Sequence, residues 1–458
     1  MTTGAIHPLR RPALTWPEHI RAVLSLGLPL VGTNIAGFLL HMTDTLMLGW
    51  YDVTALAAAT LATSFWFIVF ILGAGIANAV MPLVAAADAE GDDIRVRRVT
   101  RMGLWLSLAY ALVVLPPLYW SEAIFLAIGQ EPQIAALAEE YLRIAAFGMI
   151  PGLIFAAFRS FLSALERTGF LLVITLVALV LNACINYALI FGNWGAPEMG
   201  IRGAAVASVA VQSGWVLVCG LYIARALPQY RLFQRWWKSD GTILREVFVL
   251  GVPIGLTALA EGGLFAASAV LMGLLGEIEL AAHGIAIQIA GAAFMWHLGM
   301  SQAATVRAGN ALGRRDEPGL RRGAWAAIAL SGGFAVLAVV AFLAVPEPMA
   351  SAFLDPDDPD REAVLAVAVV LMAMAALFQF VDAAQAMALG LLRGVQDTRV
   401  PFYIAVLSYW GLGITSSYVF GFHTPLGAMG IWLGLVVGLS FAAVLLMVRF
   451  WRRGAVLS

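Results

Sequence analysis

The sequence predicts an all-α membrane protein with twelve membrane-crossing helices, on three observations. Of its 458 residues, 61% are hydrophobic and only 12% are charged, about half the charge fraction of a soluble chain. Mean hydropathy is +0.88. Apolar runs of about twenty residues or more recur along the whole chain, and each is long enough to cross a hydrocarbon core of about 30 Å. They are too long and too evenly apolar to be barrel strands of about ten alternating residues.

The runs fall at 22–49, 54–87, 102–121, 136–163, 168–191, 200–225, 246–275, 279–306, 323–345, 362–391, 400–421 and 427–449. The first follows a polar leader with Arg10, Arg11 and Arg21. It exceeds signal-peptide length and lacks a convincing cleavage site, so it reads as a retained helix. The second ends at a basic connection, 88–101, and the fifth carries LNACINYAL. The sixth leads into a long basic stretch with Arg225, Arg231, Arg235, Lys238 and the pair Trp236 and Trp237, whose indoles suit a membrane interface. The seventh holds Pro253 and Glu261, and the eighth holds His283 and His297 before the basic connection 307–322. Between the ninth and tenth lie Asp355, Asp357, Asp358 and Asp360, and the tenth carries Asp382 ahead of Arg393.

Basic residues gather in the connections 88–101, 225–245, 307–322 and 393–399 and in both tails. The opposite connections hold Glu277, Glu279 and the aspartates of 355–360, with Arg202 and Arg361 as exceptions. Excess Lys and Arg marks the cytoplasmic side, so both termini are expected there, in a bacterial inner (plasma) membrane. Topology accounts for the basic loops, and no nucleic acid partner is expected. Cys184 and Cys219 lie inside predicted helices, so neither a disulfide framework nor a metal cluster is indicated.

The chain contains one pattern twice. A shift of 224 places LGLPL (26–30) on LGVPI (250–254), LAA (56–58) on LAA (280–282), and Arg97 and Arg98 on Arg321 and Arg322. A shift of 230 places Met199, Gly200 and Ile201 on Met429, Gly430 and Ile431. Six helices separate the copies, so the halves share one orientation, as in parallel-repeat transporters with a midplane site between two lobes. The expected organisation is an N-terminal lobe over 1–225, a cytoplasmic linker over 226–245 and a C-terminal lobe over 246–458. Pro29 and Pro253 occupy equivalent positions and are expected to bend or locally break their helices, as fixed kinks or as hinges.

Three carboxylates lie within the runs: Asp44, Glu261 and Asp382. An unpaired charge at the centre of a membrane helix costs roughly 2.5–3.5 kcal/mol on insertion scales. Asp382 stands roughly 16 Å along its helix from Arg393, near mid-depth of a core of about 30 Å. A protein-lined or wet cavity offsets that cost. At the 224 shift Asp44 falls opposite Ser268 and Glu261 opposite Gly37, so the acids are not part of the shared scaffold. An acid in low dielectric binds a proton, whereas one among oxygen ligands can hold a metal cation. Asn182 and Asn186 share a helix face and could complete such a cation site with Asp44. The alternative for the acids is a structural hydrogen bond, and for the asparagines interhelical bonding. Gln288, Gln302, Gln379 and Gln385 either line a cavity or bond across helices. His283 and His297 stand roughly 21 Å apart along one helix, too far to share a metal. Arg159 and Arg393 sit at predicted cytoplasmic helix ends from which their side chains can reach the interface.

Four segments in order, MTDTLMLG (42–49), GAPEMGIRGAAVAS (195–208), LAEGGLFAAS (260–269) and VDAAQAMALGLLRGVQD (381–397), resemble the multidrug and toxic compound extrusion (MATE) family, nearest its NorM-type bacterial branch. The resemblance covers about residues 20–450. It implies the fold of the MATE/MOP superfamily, two pseudo-symmetric six-helix lobes around a central cavity, and export of organic cations and drugs in exchange for Na⁺ or H⁺. By motif match the C-lobe coupling acids are Glu261 and Asp382 and the N-lobe acid is Asp44, with Asn182, Asn186 and Ser208 as N-lobe polar ligands. Two departures stand out. Phe378 replaces a tyrosine common before the helix-10 aspartate, and Ala282, His283 and Gly284 stand where relatives have Ala-His-Gln.

The expected function is therefore multidrug efflux by cation-coupled antiport with alternating access, without enzymatic activity or a cofactor beyond the coupling ion. The partners are amphipathic, mostly cationic small molecules and membrane lipid, and the chain is expected to work as a monomer. A lipid-linked precursor flippase of the same superfamily is the alternative, but it calls for a basic interior. An intramembrane prenyl-group transferase calls for clustered Asp-rich diphosphate motifs, and the run DPDDPD (355–360) sits in an outer loop.

Overall fold

In the computed structural model, residues 14–356 and 359–454 are described. Arg10, Arg11, Asp357 and Asp358 lie outside the described residues. Twelve helices are long and apolar enough to cross a membrane: α1 (Trp16–Tyr51), α2 (Val53–Glu90), α3 (Asp93–Tyr119), α4 (Pro132–Ala164), α5 (Thr168–Phe191), α6 (Ile201–Ala226), α7 (Gly241–Leu275), α8 (Glu277–Arg314), α9 (Glu317–Ala344), α10 (Arg361–Gly394), α11 (Arg399–Phe422) and α12 (Ala428–Arg453). No strand occurs among the described residues. Every predicted run is a helix. Several helices run a few turns further than their apolar stretches, as α8 does through Arg307 to Arg314. Hydropathy marks where a helix leaves lipid, whereas hydrogen bonding continues until a cap stops it.

Neighbour relations repeat between the halves. In the first, α4 packs on α2, α3 and α6, and α5 on α1 and α6; in the second, α10 packs on α8, α9 and α12, and α11 on α7 and α12. The repeat extends to backbone detail. Asp92 caps α3 by accepting from Arg95 N at 2.8 Å, and Asp316 caps α9 by accepting from Gly319 N at 2.9 Å. Left-handed residues end equivalent helices, Gly91 (φ 79) and Arg315 (φ 53) at one place, Glu166 (φ 59) and Gln396 (φ 60) at another. Asp92→Ala and Asp316→Ala should each destabilise the protein by about 1 kcal/mol. Thermal melts in detergent should show two similar losses that add in the double variant.

The prolines do not interrupt their helices. Both α1 and α7 are unbroken across Pro29 and Pro253. One turn on, Thr33 donates to the Pro29 carbonyl at 2.8 Å and Thr257 to the Pro253 carbonyl at 2.7 Å. Interruptions fall elsewhere: at Ala79 in α2, at the 3-10 turn Ala146–Gly148 in α4, and at the π-helical stretch Leu407–Ile414 in α11.

The linker is shorter than expected, because α7 already begins at Gly241. It lies against α3, where Arg101 donates to the carbonyls of Gln234 (3.1 Å) and Arg235 (2.7 Å) and the Trp105 indole donates to the Trp236 carbonyl. Tyr230 donates to Asp88 at 2.6 Å, and burial together with that carboxylate pushes its phenol well above the usual range. Trp236 is half-buried while Trp237 is exposed, so one indole of the pair packs on protein.

The halves meet along a seam in the part of the molecule where α1 and α7 begin and α2 and α8 end. There α2 crosses α7, and α8 packs on both α1 and α2. Glycines set the spacing. A Cβ on Gly75 would fall on the backbone of Gly255, and one on Gly251 would lie 2.6 Å from Ile76 Cα. At the symmetric crossing a Cβ on Gly299 would lie 2.6 Å from Val31 N. Arg95 pairs with Glu246 across the seam at 2.7 Å, and Asn310 of α8 donates to Glu166 at 3.3 Å.

Candidate functional site

Away from the seam, a cavity of about 520 Å³ lies among α1, α2, α4 and α6. Asp44 stands in its wall with His41, Trp66, Phe67, Tyr141 and Ser208, and Gln288 reaches it from α8. The cavity therefore belongs mainly to the first six helices. Its lining contains one carboxylate and no Lys or Arg.

The N-lobe residues singled out in the sequence come together here. Asn186 Nδ2 donates to Asp44 Oδ1 at 2.5 Å and also to Asn182 Oδ1 at 3.2 Å, and the Ser208 hydroxyl donates to Asp44 Oδ2 at 3.2 Å. Helical spacing explains the pair on α5, since residues four apart share a face. Both asparagines are fully buried, while Asp44 is half-buried and faces the cavity. Asn186 Oδ1 and Asn182 Nδ2 have no hydrogen-bond partner.

The C-lobe residues form a second cluster. Gln379, Asp382 and Gln385 recur every three residues on α10 and are all buried. Gln385 Nε2 donates to Glu261 Oε1 at 3.1 Å and to Tyr409 Oη at 2.6 Å. Asp382 Oδ1 and Gln385 Oε1 are buried acceptors without a donor. Gln379 and Gln385 thus bond across helices in packed protein, and of the four glutamines named as candidates Gln288 is the one on the cavity wall.

His283 stands apart from these clusters, whereas His297 touches the second at Gln379. His297 sits between Ser331 (2.7 Å) and Gln379 (3.2 Å), and His283 accepts from the Trp432 indole at 3.1 Å while meeting Ser268 at 3.3 Å. Ser268, the repeat counterpart of Asp44, thus takes part in a neutral network. Among the described residues no three His, Cys, Asp or Glu side chains are grouped to hold a metal.

Arg393 is half-buried and makes no ion pair with Glu261 or Asp382. One feature was not read from the sequence. Tyr409 is fully buried beside the acids. Its position on α11 was hidden because a π-helical stretch shifts which residues face inward relative to 3.6-residue spacing.

A helical transporter built of two like halves, each carrying a carboxylate on its membrane-crossing helices, is the class this fold and site define. The sequence profile of the MatE family matches residues 29–188 and again 253–419, two matches that begin 224 residues apart. "Probable multidrug resistance protein NorM" of Rhizobium meliloti (strain 1021) is 47% identical over 441 residues, covering 96% of this chain and 94% of that protein. The protein of the same description from Agrobacterium fabrum is 44% identical over 438 residues, covering 95% and 94%. A solved MATE structure, in complex with MaL6, superposes with a TM-score of 0.88 at 19% identity, covering 96% and 97% of the two chains. The chain belongs to the MATE family of membrane transporters, and it is not an enzyme.

Proposed function

We propose that the chain is a multidrug efflux antiporter, exporting amphipathic and mostly cationic small molecules in exchange for Na⁺ or H⁺ by alternating access. The observation that carries this reading is the state of the carboxylates. Among the described residues, none of Asp44, Glu261 and Asp382 has a basic partner at ion-pair distance, and Asp382 keeps a buried oxygen with no donor. A buried acceptor in a membrane protein is strongly favoured to take up a proton or a cation. The near relatives named as multidrug resistance proteins support the export of drugs.

Roles follow from position. Glu261 and Asp382, packed inside the C-lobe, take the coupling ion. Asp44, held by Asn186 and Ser208 on the cavity wall, serves either an ion or the charge of a substrate. Trp66, Phe67 and Tyr141 supply apolar and aromatic wall for the body of such a molecule. With both termini in the cytoplasm of a bacterium, the seam closes the inner side and the cavity faces out. Ion uptake then favours one lobe arrangement and cytoplasmic substrate the other. A pyrophosphate-linked lipid would meet a carboxylate and no cation in this cavity, which disfavours the flippase reading.

Cells overproducing the protein should resist lipophilic cationic dyes at least about tenfold more than anionic compounds of similar size, because negative charge in low-dielectric walls favours positive guests. Growth inhibition checks this, with collapse of both Na⁺ and proton gradients expected to abolish the difference. Equal protection against anions would overturn the acidic-cavity reading. Protection that persists without either gradient would overturn antiport. Efflux from vesicles under separately imposed Na⁺ and pH gradients identifies the ion.

A further inference from the structure

Tyr409 is a buried polar group that the proposed mechanism leaves unused. Its hydroxyl accepts from Gln385 Nε2 at 2.6 Å, and the second hydrogen of the same amide goes to Glu261 at 3.1 Å. Both amide donors are thereby spent, and the tyrosine's own O–H remains free to turn to another acceptor. Asp382 Oδ1 and Gln385 Oε1 are buried acceptors with none of their own.

The backbone under Tyr409 is also unusual. Residues Leu407–Ile414 form a π-helix, in which an extra residue per turn widens the coil. Tyr409 and Ser408 are buried on its inner side, and the neighbouring Trp410 indole donates to the Ala260 carbonyl on α7 at 3.1 Å. The π segment is thus fastened to α7 twice, once at Ala260 directly and once at Glu261 through Gln385. Reversion of this stretch to an α-helix would drop the extra residue and turn Tyr409 by about 100° from its present face, breaking the bond to Gln385.

We infer that Tyr409 is a positioning residue that, through Gln385, holds Glu261 to α10, the helix that carries Asp382, and ties both to the π-helical stretch of α11, given that the two acids couple the ion as proposed above. Occupancy of the acids by a proton or Na⁺ then changes how α11 is held, and the shape of α11 changes how tightly the acids take the ion.

The test uses Tyr409→Phe, which keeps the ring and removes the hydroxyl, with Tyr403→Phe as a control on the exposed face of the same helix. In proteoliposomes, efflux of a fluorescent organic cation is titrated against Na⁺ at fixed pH and against pH without Na⁺. In Tyr409→Phe the ion that drives transport should show its half-effect at a concentration shifted by about tenfold, the equivalent of a lost hydrogen bond to a charged network. The KM for the dye should stay within about twofold, and the control should be unchanged. Gln385→Met breaks the same link from the other side and should give the same shift, with the double variant no worse than either. An unshifted midpoint in Tyr409→Phe, a lower rate with no midpoint shift, or additive effects of the two substitutions would each overturn the inference. Asp382→Asn measured in parallel separates the two readings. Wild-type transport in that variant removes the coupling role of the acids, whereas a dead Asp382→Asn beside an unshifted Tyr409→Phe leaves the acids standing and removes Tyr409.

Discussion

Asp382→Asn should abolish gradient-driven export while leaving the protein folded and inserted. The substitution keeps side-chain shape and removes the ionisable oxygen. It also adds an amide donor three residues from Gln385, whose Oε1 lacks a donor, so packing around α10 has no reason to fail. What disappears is the group that takes and releases a proton or cation inside the C-lobe. Loss of a step that cannot be bypassed should reduce gradient-dependent efflux by two orders of magnitude or more, on the order of 3 kcal/mol in barrier terms. Dye efflux from proteoliposomes with imposed gradients measures it, with melting in detergent as the folding control. Wild-type rates at normal expression would make Asp382 a structural group.

Gly75→Leu should hold the molecule open at the end where it is now closed. The backbones of α2 and α7 touch at Gly75, Gly251 and Gly255, and a Cβ on Gly255 would sit 2.6 Å from the Leu72 carbonyl oxygen. No rotamer of a larger side chain clears a contact made by main chain on both sides. Overpacking of this kind costs about 1–3 kcal/mol, which shifts a two-state equilibrium by about 5- to 150-fold. Because the clash exists only when the lobes meet, the shift falls on the closed arrangement rather than on folding within a lobe. In a background lacking Cys184 and Cys219, a cysteine at Ala303, now buried in the seam, should be protected from thiol reagents in the parent and labelled in Gly75→Leu. Transport should fall in step. Unchanged labelling and near-parental efflux would show that closure at this end does not require contact between these glycines.

Particular residues show how far the sequence carried. All twelve helices were legible, because lipid imposes length and apolarity on any span and leaves little freedom in where such runs begin. The repeat was legible because caps and turns need particular residues, and Asp92 with Asp316 is one such pair. The meeting of Asp44, Asn186 and Ser208 was reachable through family resemblance and the spacing on α5. Its hydrogen bonds, one to an amide and one to a hydroxyl, came only from the fold.

Composition and periodicity thus determined the class of protein, the number of helices, the duplication and the presence of three acids that need an explanation. Each of these depends on solvent and on local chain geometry, which act on residues near one another in sequence. Tertiary structure alone decided that Gln385 bridges Glu261 to Tyr409, that the prolines leave α1 and α7 unbroken, and that the seam closes at one end through glycines of α2 and α7. Those outcomes depend on which faces of distant helices meet. In a membrane the faces are chosen by close packing and polar satisfaction between helices rather than by hydrophobicity, since lipid is as apolar as the residues it touches.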